Sequence, residues 1–218
     1  MKIYKDKSRG KSYFYYFGWT IIAFFGLFFL LFFLIFQNVY KIKPYQKIDF
    51  FWAAYGLKDR FYQQEILKEY EDDGLLEINM YDYPFNDPKL YDYYQAYGEN
   101  SDFVILSEGD LVSMQEVIKD KFMALNDLLI DCPTINNYET FVYEELSYGV
   151  KLFDKNNDEY NHQHHYLEHV EFTAQGQESF SYYLLVNQNS VNFDKENNHV
   201  FGYLALEYFL SINERQTD

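Results

Sequence analysis

Residues Lys47–Tyr55 read KIDFFWAAY, and Asp102–Ser107 read DFVILS. Both are dense apolar runs bounded by polar or turn residues, without the alternation of a half-exposed strand. Such runs belong to strands covered on both faces, as in a sheet packed between helices. Between them the period changes. Asp59–Asp73 carries Phe61, Tyr62, Ile66, Leu67 and Tyr70 on one helical stripe, and Gly74 is placed to end it. Leu76–Tyr81 reads as a further strand. Asp87 and Pro88 offer an N-cap and a first-turn proline to a helix striped by Leu90, Tyr94 and Tyr97 and closed by Gly98. Ser113 and Glu116 have capping-box spacing, with Met114, Val117, Ile118 and Phe122 as the inward face of the next helix. Strand starts near 47, 76 and 102 leave room for helical crossovers, so this half predicts an open, mostly parallel α/β sheet.

Downstream the signals shorten. Tyr148–Phe153, Tyr166–Phe172 and Tyr182–Asn187, separated by DKNND and QGQ, read as an antiparallel meander. Val200, Phe201, Leu204, Tyr208 and Ile212 then mark a C-terminal helix with a wide apolar face, followed by a polar tail over 214–218.

Upstream lies a different kind of sequence. Ser12–Tyr40 contains no Asp, Glu, Lys, Arg or His, and Ile21–Phe36 is wholly apolar: IIAFFGLFFLLFFLIF. A bilayer core of ~30 Å needs roughly 20 apolar helical residues, and Phe17–Gln37 supplies them, flanked by Tyr13, Tyr15, Tyr16, Trp19 and Tyr40 as interfacial aromatics. The run is too long for a signal-peptide core and QNVYKIKPYQ has no small-residue cleavage pattern, so an uncleaved single-pass anchor through the lipid bilayer is expected. Five basic residues precede it (Lys2, Lys5, Lys7, Arg9, Lys11) and three follow (Lys41, Lys43, Lys47). The positive-inside rule then puts residues 1–11 in the cytoplasm and everything after Tyr40 outside, at the cell membrane. Residues 41–46 form a short tether and 47–213 one extracytoplasmic domain.

Charge divides along the same line: net +4 over 1–40 and −20 over 41–218. An acidic outer domain without a basic stripe excludes nucleic-acid binding. The single cysteine, Cys132, excludes a disulfide framework and a cysteine-based zinc site. The chain holds 24 Tyr, 22 Phe and two Trp. That excess persists outside the anchor and is explained more cheaply by A/T-rich codons than by a stacking site. No GxSxG, HExxH, phosphate-binding glycine loop or persuasive carboxylate pair is present, so neither an enzyme nor a cofactor is expected.

Three stretches carry a family resemblance. KIDFFWAAYGLKDRFYQQEILKEYEDDGLLEINMYDY, SDFVILSEGDLVSMQEVIKDKFMALND and NQNSVNFDKENNHVFGYLALEYFLSI are similar to hydrophobic patterns of the extracellular solute-binding proteins of ABC importers, of the type 2 periplasmic-binding fold. They cover roughly 47–130 and 182–212. The resemblance implies a binding-type domain accessory to a transporter permease or another membrane protein. Two features depart from that family. Only 54 residues separate Asn126 from Ser181, too few for a second ligand-closing lobe, and a cleaved signal or lipid-accepting cysteine is missing. A one-lobed, membrane-anchored relative is expected, with a structural or interaction module that has lost its pocket as the alternative.

Ligands of open α/β sheets bind beyond the carboxyl ends of the strands. Here those ends carry Trp52, Tyr55, Asp82, Tyr83, Ser107 and Glu108, with two aromatics able to stack and polar groups able to hydrogen-bond, unless Trp52 is core and the rest loop decoration. The ligand itself is not named. His162, His164, His165 and His169 invite a metal reading, with Glu168 and Glu171 as possible carboxylate ligands. On a strand, residues four apart lie ~13 Å apart and cannot share an ion; on a helix they can. The strand reading is preferred, and no metal is expected.

Overall fold

The computed structural model describes residues 7–39, 41–84, 87–173 and 180–214. It divides into two compact units, Met1–Ile42 and Lys43–Asp218.

The first unit is one helix, α1 (Lys7–Val39), which starts before the apolar run. Its segment Phe17–Phe36 has a mean hydropathy of 2.7 and none of it is buried. Twenty residues at ~1.5 Å each span ~30 Å, so the helix is long and apolar enough to cross a bilayer.

The second unit begins ahead of the expected boundary at 47. Pro44–Gln46 forms a 3-10 turn, and the Tyr45 ring stacks on His199 at 4.3 Å, so the second half of the expected tether belongs to the folded domain. Eight strands follow among the described residues: β1 (Lys47–Trp52), β2 (Gly56–Leu57), β3 (Glu77–Asp82), β4 (Phe103–Ser107), β5 (Thr140–Tyr143), β6 (Leu146–Phe153), β7 (Val170–Glu171) and β8 (Tyr182–Val186). The helices are α2 (Phe61–Tyr70), α3 (Leu90–Ala96), α4 (Glu108–Ser113), α5 (Ile118–Lys121), α6 (Asp158–His162), α7 (Tyr166–His169) and α8 (Phe201–Ser211).

Six strands make one sheet in the order β3-β1-β4-β8-β6-β5. β1 runs parallel to both β3 and β4, joined through α2 and α3 as the sequence predicts. The other three junctions are antiparallel. The expected mostly parallel sheet is thus a mixed one, with two parallel and three antiparallel junctions, because the chain re-enters beside β4 through β8 running the other way. Along β1, Ile48, Phe50 and Trp52 face a core shared with α2 and α8, through Ile66, Phe209 and Leu210. Phe51 and Ala53 face a second core with Tyr94, Leu111 and Ile118. Burial on both faces is the physical reason β1 and β4 read as unbroken apolar runs.

Two expected elements are elsewhere. The helix after β4 starts a turn and a half early: Ser107 Oγ accepts the Asp110 N–H at 3.2 Å and donates to Asp110 Oδ2 at 2.6 Å, so the capping box is Ser107–Asp110 rather than Ser113–Glu116. Tyr166–Phe172 is not a meander strand. It forms the helical turn α7 and then β7, which pairs with β2 in a separate two-stranded ribbon. Its backbone groups are taken there: Glu171 O accepts from Tyr55 N at 3.1 Å and His169 O from Lys58 N at 2.8 Å. β8 therefore pairs directly with β6, and the outer edge of the sheet belongs to β5, a strand the periodicity misses. The β5–β6 hairpin turns on Glu144 and Glu145, both at positive φ (47° and 69°), where a two-residue loop ordinarily uses Asn-Gly.

Gly74 ends the turn after α2 at φ +105°, as expected of a left-handed stop. Gly98 is required for a different reason: a Cβ there would lie 2.4 Å from the Tyr94 ring.

Candidate functional site

The parallel strands bring Trp52, Asp82 and Ser107 to one edge of the sheet, since Trp52 is in register with Asp82 and with Ile105. The chain itself fills the space beyond them. Trp52 is wholly buried, its indole flanked by Tyr62, Phe172 and Phe209 at 6.3 Å, and Ala53 and Ala54 beyond it are equally inaccessible. Tyr55 donates its N–H to Glu171 and so holds the β2–β7 ribbon over the edge. Asp82 is exposed, and its Oδ2 accepts the Leu57 N–H at 3.0 Å. Desolvation beside the ribbon pushes its pKa up, against the pull of that hydrogen bond. Ser107 is the buried cap of α4, and Glu108 sits on that helix 3.3 Å from Lys155 Nζ. Tyr83 leaves this edge for the opposite face, where it stacks on Tyr93 at 4.3 Å and 15°. Five of the six expected ligand residues therefore lie along one edge, and four of them hold the fold together.

The histidines of 162–169 are dispersed. α7 brings His165 and His169 into one helical turn, yet each takes its own carboxylate: His165 Nδ1 meets Glu168 Oε1 and His169 Nδ1 meets Asp59 Oδ2, both at 2.9 Å. The His169 ring also lies flat on Phe61 at 3.9 Å. His162 turns back to Asp158 O, and His164 is buried against Tyr138. Among the described residues, no group of three or more His, Cys, Asp or Glu side chains is placed to hold a metal ion. Burial, ahead of the neighbouring Glu207 and Asp131, pushes the Cys132 thiol up to about 12.

The polar chemistry gathers at the other end of the sheet, at the amino ends of β1 and β4 and the carboxyl end of β8. A cavity of about 320 Å³ opens there, walled by Lys47, Asp49, Ser101, Asp102, Asn187, Asn192 and their neighbours. Asp102 is its hub. Oδ2 accepts the Asp49 N–H at 2.8 Å, and Oδ1 accepts from Asn192 Nδ2 at 2.8 Å and from the Ser190 hydroxyl. Asp49 in turn receives Lys47 Nζ at 2.5 Å and Asn79 Nδ2 at 2.9 Å. Asn187 Nδ2 donates to Glu99 O at 2.8 Å, and Asn192 Nδ2 also donates to Lys47 O at 2.9 Å. Burial raises the Asp102 pKa in spite of the three donors it accepts. These residues escaped sequence reasoning because they come from four separated segments. The one local signal was the carboxylate that interrupts each apolar strand start, Asp49 and Asp102.

No protein-family model, no curated protein and no solved structure matches the chain.

Proposed function

We propose that this is a single-pass membrane protein that displays its second unit outside the cytoplasm as a protein-interaction module, with a partner in the same membrane such as a transporter permease. The observation that carries the reading is a row of stacked tyrosines beside α3. Tyr93 stacks on Tyr83, Tyr83 on Tyr97 at 5.9 Å, and Tyr97 on Tyr81 at 5.2 Å, with Tyr91 69% and Tyr97 43% exposed. Tyrosines pre-ordered by stacking lose little side-chain entropy on contact, and such residues are enriched where protein surfaces meet. The apolar helix α1 and the basic bias ahead of it support the anchoring and its direction. Site-specific photo-crosslinking in the native membrane tests the reading. A crosslinker at Tyr91 should give one discrete adduct, weakened by Tyr97→Ala, whereas a crosslinker at exposed Ile130 should not. The same smear of products from both positions would overturn it.

A second reading keeps ligand capture, as in one lobe of a solute-binding protein. It is favoured by the parallel β3-β1-β4 half, which falls in the segment bearing the resemblance. Saturable melting shifts with sugars or short peptides would select this reading over the first.

A further inference from the structure

We propose that the cavity at the amino ends of β1 and β4 binds a small organic cation bearing a primary ammonium group. This goes beyond the interaction surface and does not depend on it. Five of the ten buried polar or charged side chains of the described residues, Asp49, Ser101, Asp102, Asn187 and Asn192, converge on this one cavity. A network serving only to tie loops together would be expected to satisfy its own members. This one does not. Asn192 is 1% exposed, its Nδ2 is committed to oxygens of Lys47 and Asp102, and its Oδ1 has no partner. The amide cannot be turned round to relieve this, because Oδ1 would then face those same oxygens.

One buried acceptor among the lining residues therefore lacks a donor. Among the residues lining the cavity, Asp49, Glu99 and Asp102 are acidic and Lys47 alone is basic, and at the mouth Glu99 Oε1 also meets Lys121 Nζ at 2.7 Å. Carboxylate oxygens accept more than one hydrogen bond each, so Asp49 keeps capacity after its bonds to Lys47 and Asn79. A primary ammonium brings three donors in a compact head, and the Lys47 ammonium already demonstrates the contact on Asp49. A volume of about 320 Å³ exceeds an ion's need and sits at the lower end of small-ligand pockets, which favours an organic cation. The acidic domain around it draws cations toward the mouth.

Calorimetric titration of the full-length chain in detergent micelles, with ethanolamine and 1,4-diaminobutane as probes, tests this. Saturable binding is expected for the primary amines and none for tetramethylammonium, which has the charge but no N–H. Asp49→Asn should weaken ethanolamine binding about tenfold, the loss expected for a charge-assisted hydrogen bond. Glu99→Gln, at the exposed mouth and outside the Asp102 network, should weaken it severalfold and decides the matter if Asp49→Asn fails to fold. Absence of saturable amine binding, an equal response to tetramethylammonium, calcium bound in preference to amines, or unchanged affinity in the folded variants would each overturn the proposal.

Discussion

Asp102 and Asp49 clasp each other through both main chain and side chain. Asp102 N–H donates to Asp49 O at 2.8 Å, and Asp102 Oδ2 accepts the Asp49 N–H at the same distance. The pair closes the amino ends of two adjacent parallel strands, where the ladder would otherwise fray. Because Ser190 and Asn192 also donate to the Asp102 carboxylate, the loop after β8 is fastened to the same point.

Removing that carboxylate strands several buried donors at once. Asp102→Ala is expected to cost about 3 kcal/mol, since a buried donor left unmatched costs roughly 1–3 kcal/mol. For a domain of this size that is a fall in Tm of roughly 6–12 °C. Asp102→Asn should lose less, as one oxygen still accepts while the new N–H opposes a donor. Thermal melts of the full-length chain decide it, and a variant within a degree of wild type would mean the network contributes no stability.

Trp52 separates a core residue from a stacking platform. Truncation to Ala at a wholly buried site should cost about 3–5 kcal/mol. Trp52→Phe should be far milder, because it also removes an indole N–H that has no partner. In a Trp19→Phe background, Trp52 emission should be blue-shifted against the unfolded chain and protected from iodide. Ready quenching by iodide would contradict the closed edge.

The β5–β6 hairpin carries removable strain. Glu145 sits at φ 69°, where a side chain costs about 1–2 kcal/mol that glycine does not incur. Glu145→Gly should therefore raise Tm by roughly 2–8 °C. Glu144 is the wrong position for this test, since its carboxylate pairs with Lys119. A fall in Tm would show that Glu145 makes a compensating contact in the turn.

The same turn illustrates what could be read from the sequence. β1, β3, β4, α2 and α8 were legible because each buries a face and so imposes its period on the residues. β5 was not: it is four residues long and its turn is spelled Glu-Glu, so neither pattern nor turn chemistry announced it. Tyr166–Phe172 misled for the opposite reason. Its apolar residues are buried as a strand's would be, Tyr166 and Phe172 at 1% exposure, but beneath a ribbon rather than in the sheet. Placing ligand residues at the strand carboxyl ends followed a rule about folds, and could not foresee that Phe172 and the β2–β7 ribbon would occupy the space. The polar cavity was invisible because its members meet only after folding.

Asp59 and His169 give a pH-dependent link between the α2 start and the ribbon. The hydrogen bond from His169, then the Phe61 N–H, hold the Asp59 carboxyl below its ordinary value. A carboxylate with a depressed folded pKa contributes stability above its unfolded pKa, near 3.9, and loses it as pH falls through the folded value. His169→Phe keeps a ring against Phe61 but removes the Nδ1 contact. Wild type should therefore melt above this variant at pH 7, by no more than a few degrees because Asp59 is half exposed. The gap should close as the pH drops toward about 3. A gap that persists unchanged in acid would assign the difference to packing on Phe61 instead of the Asp59–His169 hydrogen bond.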